Sequence, residues 1–124
     1  MPYFEPCNSK NMDIENSKAQ MKKGILEYCI LSIISRGEVY ASDILEEMKS
    51  SSLLVVEGTI YPLLSRLKNE GLLSYNWVES KSGPPRKYYQ LTQQGITFMN
   101  ELGLTWQDLV KAVNELTQKT NNQI

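Results

Sequence analysis

The feature that most narrows what this chain can become is a change of hydrophobic period at Gly71. Before it, Ile60, Leu63, Leu64 and Leu67 recur at i, i+3, i+4 and i+7, the spacing of one helical face. After it, Leu73-Ser74-Tyr75-Asn76-Trp77-Val78 and Lys87-Tyr88-Tyr89-Gln90-Leu91 are aromatic-rich and change to period two, as half-buried strands do. Between them Ser80-Lys81-Ser82-Gly83-Pro84-Pro85-Arg86 reads as a turn that two prolines stiffen. A helix running straight into a hairpin with a basic tip leaves few architectures open.

The flanking segments reduce the choice further. From about Ser17 to Ser35, Met21, Ile25, Tyr28, Cys29 and Ser32 form one stripe, and Leu26, Ile30, Ile33 and Ile34 form another. A helix apolar on most sides is expected between two other layers. Gly37 ends it, and a shorter helix follows from about Ala41 to Ser50, with Ile44, Leu45 and Met48 inward. The third helix spans about Glu57 to Glu70, with Pro62 early enough to be tolerated because the first amides lack intrahelical partners. Thr92 is a good N-cap for a last helix reaching about Gln118. The order is helix, helix, helix, strand, turn, strand, helix. It describes a mostly α winged helix-turn-helix, an α+β arrangement of three helices, a two-stranded β-wing and a long C-terminal helix. Residues 1–12 are expected to be a disordered arm, 13–91 the winged domain, 92–118 a dimerisation helix and 119–124 a frayed tail.

Composition excludes most other functions. The 124 residues contain no histidine, which removes the commonest general base and the commonest zinc ligand together. Cys7 and Cys29 have no CxxC spacing, no carboxylate pair stands out, and there is no Gly-rich phosphate loop. An enzyme is not expected, nor a cofactor or metal. The N-terminus lacks a basic-then-apolar leader, and the nearly apolar run Gly24–Ile34 contains Glu27 and falls short of the roughly 20 residues a membrane span needs.

The net charge of −1 hides a polarised molecule. Residues 57–91 carry five cations against three carboxylates and residues 17–37 four against one, whereas residues 38–56 carry four carboxylates against one lysine. Such a chain can present a basic face to nucleic acid. On the third helix Gly58, Tyr61, Pro62, Ser65, Arg66 and Asn69 lie on outer or flanking faces. Thr59, Ser65, Arg66 and Asn69 can hydrogen-bond base edges or phosphates, Tyr61 can reach a phosphate, and Gly58 permits close backbone approach at the positive helix end. Lys81, Arg86 and Lys87 arm the hairpin, and Tyr40 and Ser42, at the start of the second helix, belong to the same DNA-facing set. From periodicity alone a solvated polar face and a solubilising turn explain the same residues.

In the last helix Met99, Leu102, Trp106, Leu109, Val113 and Leu116 step by 3, 4, 3, 4, 3, the spacing of a coiled-coil seam. A stripe packed on the chain's own core would look nearly the same. Gly103 interrupts this helix at a cost of about 1 kcal/mol relative to Ala, which points to close packing or a bend. Trp106 sits where Leu would pack more simply.

Glu57-Gly58-Thr59-Ile60-Tyr61-Pro62-Leu63-Leu64-Ser65-Arg66-Leu67, followed by Glu70-Gly71-Leu72, resembles the recognition-helix signature of PadR-family transcriptional regulators. Gly83-Pro84-Pro85-Arg86-Lys87-Tyr88-Tyr89-Gln90-Leu91-Thr92, with Gly95 after it, resembles that family's wing and the start of its last helix. The resemblance spans roughly residues 17–118, and the single C-terminal helix is similar to the short subfamily. It implies a cytoplasmic homodimer on pseudo-palindromic double-stranded DNA, usually a repressor that a small molecule releases. In multidrug-binding members of that subfamily a tryptophan at the matching place stacks flat aromatic ligands at the dimer interface, which offers Trp106, with Met99, Leu102 and Met21 or Ile25 near it, for an aromatic effector; a core or interface tryptophan with no ligand explains the same residue. The rival is a winged-helix adaptor that binds protein and never reads DNA; an apolar outer face on the third helix would mark it.

Overall fold

A computed structural model of the chain describes residues 13–51, 53 and 57–122, with the side chains of Glu57 and of residues 120–122 left aside. The expected N-terminal arm, residues 1–12, lies outside the described residues, as do Gln123 and Ile124 of the expected tail.

Helix α1, Ile14–Ser35, begins three residues earlier than the periodicity suggests. Asp13 caps it, its carboxylate accepting a hydrogen bond from the Asn16 amide at 3.1 Å. Burial is confined to its second half, where Leu26, Ile30, Leu31, Ile33 and Ile34 enter the core. The first half is exposed, so the expectation of a helix buried along its whole length is corrected: only the part from Leu26 onward lies between other layers. Strand β1, Val39–Tyr40, precedes α2, Ala41–Ser50, whose Ile44, Leu45 and Met48 are buried as the pattern requires. Helix α3, Glu57–Asn69, buries Ile60, Leu64 and Leu67 completely. Gly71, at φ 83°, closes its C-terminus: its own amide donates to Lys68 O and the Leu72 amide to Leu67 O, a paired cap that suits glycine.

Strands β2, Leu73–Ser80, and β3, Gly83–Leu91, form the hairpin. The sheet order is β1-β3-β2, all antiparallel, so the wing is a three-stranded sheet rather than the two-stranded one expected. Two residues, Val39 and Tyr40, are too few to display alternation, and only pairing with Tyr89 and Tyr88 makes them a strand. The turn is also shorter than expected. Ser80 pairs with Gly83, leaving Lys81-Ser82 at the tip, and Gly83-Pro84-Pro85-Arg86 belong to β3. Prolines fit at a strand's start, and the pairing is irregular between Val78 and Ser80, the stretch that faces them.

Helix α4, Gln93–Asn122, runs 30 residues and ends beyond the expected Gln118, so 119–122 continue the helix. Its entry is fixed by Thr92, whose hydroxyl donates to Gly71 O at 2.6 Å and accepts from the Gly95 amide at 3.0 Å. A Cβ on Gly95 would sit 2.1 Å from the Leu72 carbonyl oxygen, so the first turn of α4 lies directly on backbone. At Gly103 a Cβ would meet the Tyr28 hydroxyl at 3.0 Å, which resolves the reading of that glycine in favour of close packing between α4 and α1. Among the described residues no helix is long and apolar enough to cross a membrane.

Candidate nucleic-acid interface

At about 100° per residue, the inward direction of α3 set by Ile60, Leu63, Leu64 and Leu67 leaves Gly58, Pro62, Ser65 and Asn69 as its outermost positions. All four are exposed, and a Cβ on Gly58 would meet nothing within 4 Å. The remaining polar residues fall on two separate flanks.

One flank faces the wing. Tyr40, Ser42, Tyr61, Ser65, Trp77, Arg86 and Lys87 line an open groove of about 390 Å³ between the start of α2, α3 and the sheet. Arg86 is built into it: the guanidinium stacks 3.7 Å above the Tyr40 ring and donates to the Ser42 hydroxyl. Tyr40 in turn stacks on Tyr88 with ring centres 4.7 Å apart, so the β1–β3 pairing orients the arginine. Lys87 lies 4.5 Å from the Tyr75 ring and 5.5 Å from that of Trp77, its cross-strand neighbour. Cation–π contact of this kind holds a charge in place while leaving its outer side open. Lys81 is exposed at the tip of the hairpin. Two residues join the face without having been singled out in the sequence. Trp77 is 62% exposed on β2, and Lys68 reaches to 5.7 Å from the Tyr75 ring. The period-two pattern could have signalled Trp77, because it puts residue 77 on the same face of β2 as Tyr75.

The other flank faces α1. Thr59, Pro62 and Arg66 line a wider groove of about 780 Å³ together with Gln20, Lys23 and Glu27. Here Arg66 is already engaged: Nη2 donates to Glu27 Oε2 at 3.2 Å and Nη1 to Glu70 Oε2 at 3.2 Å. The hydrogen bond it donates to Glu27, more than anything else, raises the pKa of this guanidinium above its ordinary value. The sequence had grouped Arg66 with Ser65 as one outer face; the structure turns it away from the wing groove.

The proposed seam on α4 also divides. Met99 and Leu102 are half-buried against the chain's own core. Trp106, Leu109, Val113 and Leu116 are exposed, with Leu109 at 50% and Val113 at 52%. Met21 on α1 is exposed and Ile25 half-buried. The apolar band therefore continues past the point where the chain's own core ends.

An outward polar helix beside a cation-bearing three-stranded wing is the architecture of winged-helix DNA-binding regulators. The family model for "Transcriptional regulator PadR-like family" matches residues 30–101, more than half the chain. The chain belongs to this family; it is a regulator of transcription and not an enzyme. It is similar to a PadR-like transcription factor of Bacteroides fragilis, 55% identical, with 82% of this chain and 98% of that one covered and a TM-score of 0.69. A PadR-like regulator of Bacillus cereus is 41% identical, with 80% and 97% covered and a TM-score of 0.73. A PadR family regulator of Eggerthella lenta is 27% identical, with 87% and 95% covered and a TM-score of 0.77. PadR-like regulators bind DNA, generally as dimers.

Proposed function

We propose that two copies of this chain pair along α1 and α4 and bind a pseudo-palindromic operator in the cytoplasm, repressing transcription until a small molecule releases them. The observation that carries this reading is the continuity of the wing groove with the outer face of α3, where Tyr40, Ser42, Tyr61, Ser65, Arg86 and Lys87 adjoin Gly58, Pro62 and Asn69. Serine and asparagine there meet base edges, tyrosine hydroxyls and wing cations meet phosphate, and Lys81 follows the backbone outward. Thr59 and Arg66 contribute from the α1 side. The single C-terminal helix fits the short subfamily.

Pairing supplies the second half-site. The exposed Trp106, Leu109, Val113 and Leu116 are apolar surface of a kind that association removes from water. Two recognition helices then need centres about 34 Å apart, one turn of DNA. Trp106 belongs to that seam, and the aromatic-effector reading rests on it: a flat compound between two such rings gains about 0.5–1.5 kcal/mol per stacked pair beyond area burial. It can release DNA only if it favours the dimer geometry that misplaces the reading heads.

The test is selection of bound duplexes from a random-sequence pool, with sedimentation of the free protein at tens of micromolar. Enrichment of an inverted repeat by a dimer supports the proposal. A dimer that enriches no sequence is the behaviour of a protein-binding adaptor and ends the operator reading. Titration with planar aromatic dyes, followed by tryptophan fluorescence in the wild type and in Trp106→Ala, tests the effector site. Equal dye affinity in both leaves Trp106 as a packing residue.

A further inference from the structure

We propose that Glu27 is a positioning residue for Arg66: a carboxylate on α1 that competes with DNA for the arginine of the recognition helix. This rests on the DNA-reading function just proposed and adds a control to it.

The geometry is specific. Arg66 is the α3 cation on the flank facing α1, about 80° round the helix from Gly58, while Lys68 lies on the wing side. Its guanidinium is divided between carboxylates from two places in the chain. Glu70, four residues on, is the local partner, and Glu27 reaches across from another helix. The Glu27 side chain is 24% exposed, well below the 49% of Arg66, so the carboxylate is the more fixed member and the arginine the more movable one. The groove they share is open, and Gln20, Lys23 and Thr59 also line it.

Two properties make this a competitor rather than a permanent brace. Ion pairs with this much solvent contact are weak and screened by salt, so an approaching phosphate can win the arginine. There are also two carboxylates to one guanidinium, and although Lys23 lines the same groove, neither carboxylate is paired with it, so negative charge beside the recognition helix opposes the DNA backbone until Arg66 moves. Glu27 lies two residues from Ile25 and six from Met21, on the helix that shares the proposed pairing surface with the seam of α4. Any shift of α1 that follows a change at that seam therefore moves the carboxylate relative to α3. A signal at the pairing surface reaches the reading head through one side chain.

The test uses the full-length protein and the duplex enriched by the wild type, with Kd measured by anisotropy across a salt series. Glu27→Gln keeps the shape and removes the charge. It is expected to tighten binding about two- to five-fold, the range of one partly exposed ion pair, and to steepen the dependence of log Kd on log salt by about one phosphate contact. In an Arg66→Ala background Glu27→Gln is expected to leave the salt slope unchanged. Glu27→Asp, shorter but still charged, should fall between Gln and wild type, and it stands in if Glu27→Gln fails to fold by circular dichroism. If Glu27→Gln weakens binding as Arg66→Ala does, the pair braces α3 and the competition is refuted. It is equally refuted if Glu27→Gln has wild-type affinity and slope while the wild type binds its duplex, an outcome that spares DNA reading by α3. A wild type that enriches no duplex removes the DNA-reading proposal, and this one with it.

Discussion

Replacing Gly58 by alanine separates what the fold requires of the recognition helix from what DNA requires of it. Gly58 is the second residue of α3, exposed, and surrounded by open space where a Cβ would stand. Nothing within the chain asks for glycine. Inside a helix glycine costs about 0.5–1 kcal/mol relative to alanine through backbone entropy, and a first-turn position belongs at the lower end of that range. Gly58→Ala should therefore stabilise the protein by about 0.5 kcal/mol, which for a domain of this size raises Tm by roughly 2 °C. DNA reverses the sign. If the amides at the start of α3 approach a phosphate, a methyl group holds them off and forfeits a charge-assisted hydrogen bond of about 1.5–3 kcal/mol, at least tenfold in Kd. The two measurements are thermal unfolding by circular dichroism at matched protein concentration, since pairing makes Tm concentration-dependent, and anisotropy on the selected duplex. Unchanged affinity would refute close approach by the α3 backbone. A lowered Tm would show that the space around Gly58 is filled in the assembled protein.

Gly95→Ala should have the opposite character, destabilising by about 1–3 kcal/mol or more because its Cβ meets the Leu72 carbonyl oxygen at 2.1 Å and backbone cannot step aside; urea unfolding reads it, and a wild-type midpoint would contradict the seating of α4 on the Leu72 backbone. Leu109→Glu, in the middle of the exposed stripe, should convert dimers to monomers in sedimentation while the core spectrum by circular dichroism persists, and an intact dimer would move the pairing surface elsewhere. Lys87→Ala should weaken binding to selected and random duplexes alike and flatten the salt slope by about one contact, whereas loss confined to the selected duplex would make Lys87 a base reader. Burial pushes the Cys29 thiol above its ordinary pKa, so at pH 8 it should be less ionised than a free cysteine and react more slowly with iodoacetamide; a rate at or above that of the free amino acid would contradict its half-buried place in α1.

What the sequence disclosed was periodic, and what it hid was relational. Ile60, Leu63, Leu64 and Leu67 defined the inward face of α3 because burial selects a helical stripe, and Thr92 announced α4 because a side-chain cap is a local requirement. The β1 strand had no local signature, since Val39 and Tyr40 are a strand only through Tyr89 and Tyr88. Pro84 and Pro85 suggested a long turn because proline disfavours central strands, but they sit at the start of β3, where a missing donor matters little. Within the candidate site, the outer arc of α3 was legible as an arc. Which of its edges would meet the wing and which would meet Glu27 depended on how α1 crosses α3, and no spacing in the sequence encodes that. For the same reason Met99 and Leu102 looked continuous with Trp106 and Leu109, although the chain's own core claims the first two.

The joint at Thr92 and Gly95 has a mechanical meaning. A helix of 30 residues is about 45 Å long, so turning it by about 5° at its first turn displaces the far end by about 4 Å. A lever of that length magnifies any looseness at its hinge, and two reading heads joined through two such levers would lose their register on the double helix to a small amount of play. At Gly95 the helix is seated directly on the Leu72 carbonyl, with no side chain between to yield. In the proposed dimer the spacing of the heads would then be governed by how two long arms lie against each other, where a modest change of angle would be enough to take both off the DNA.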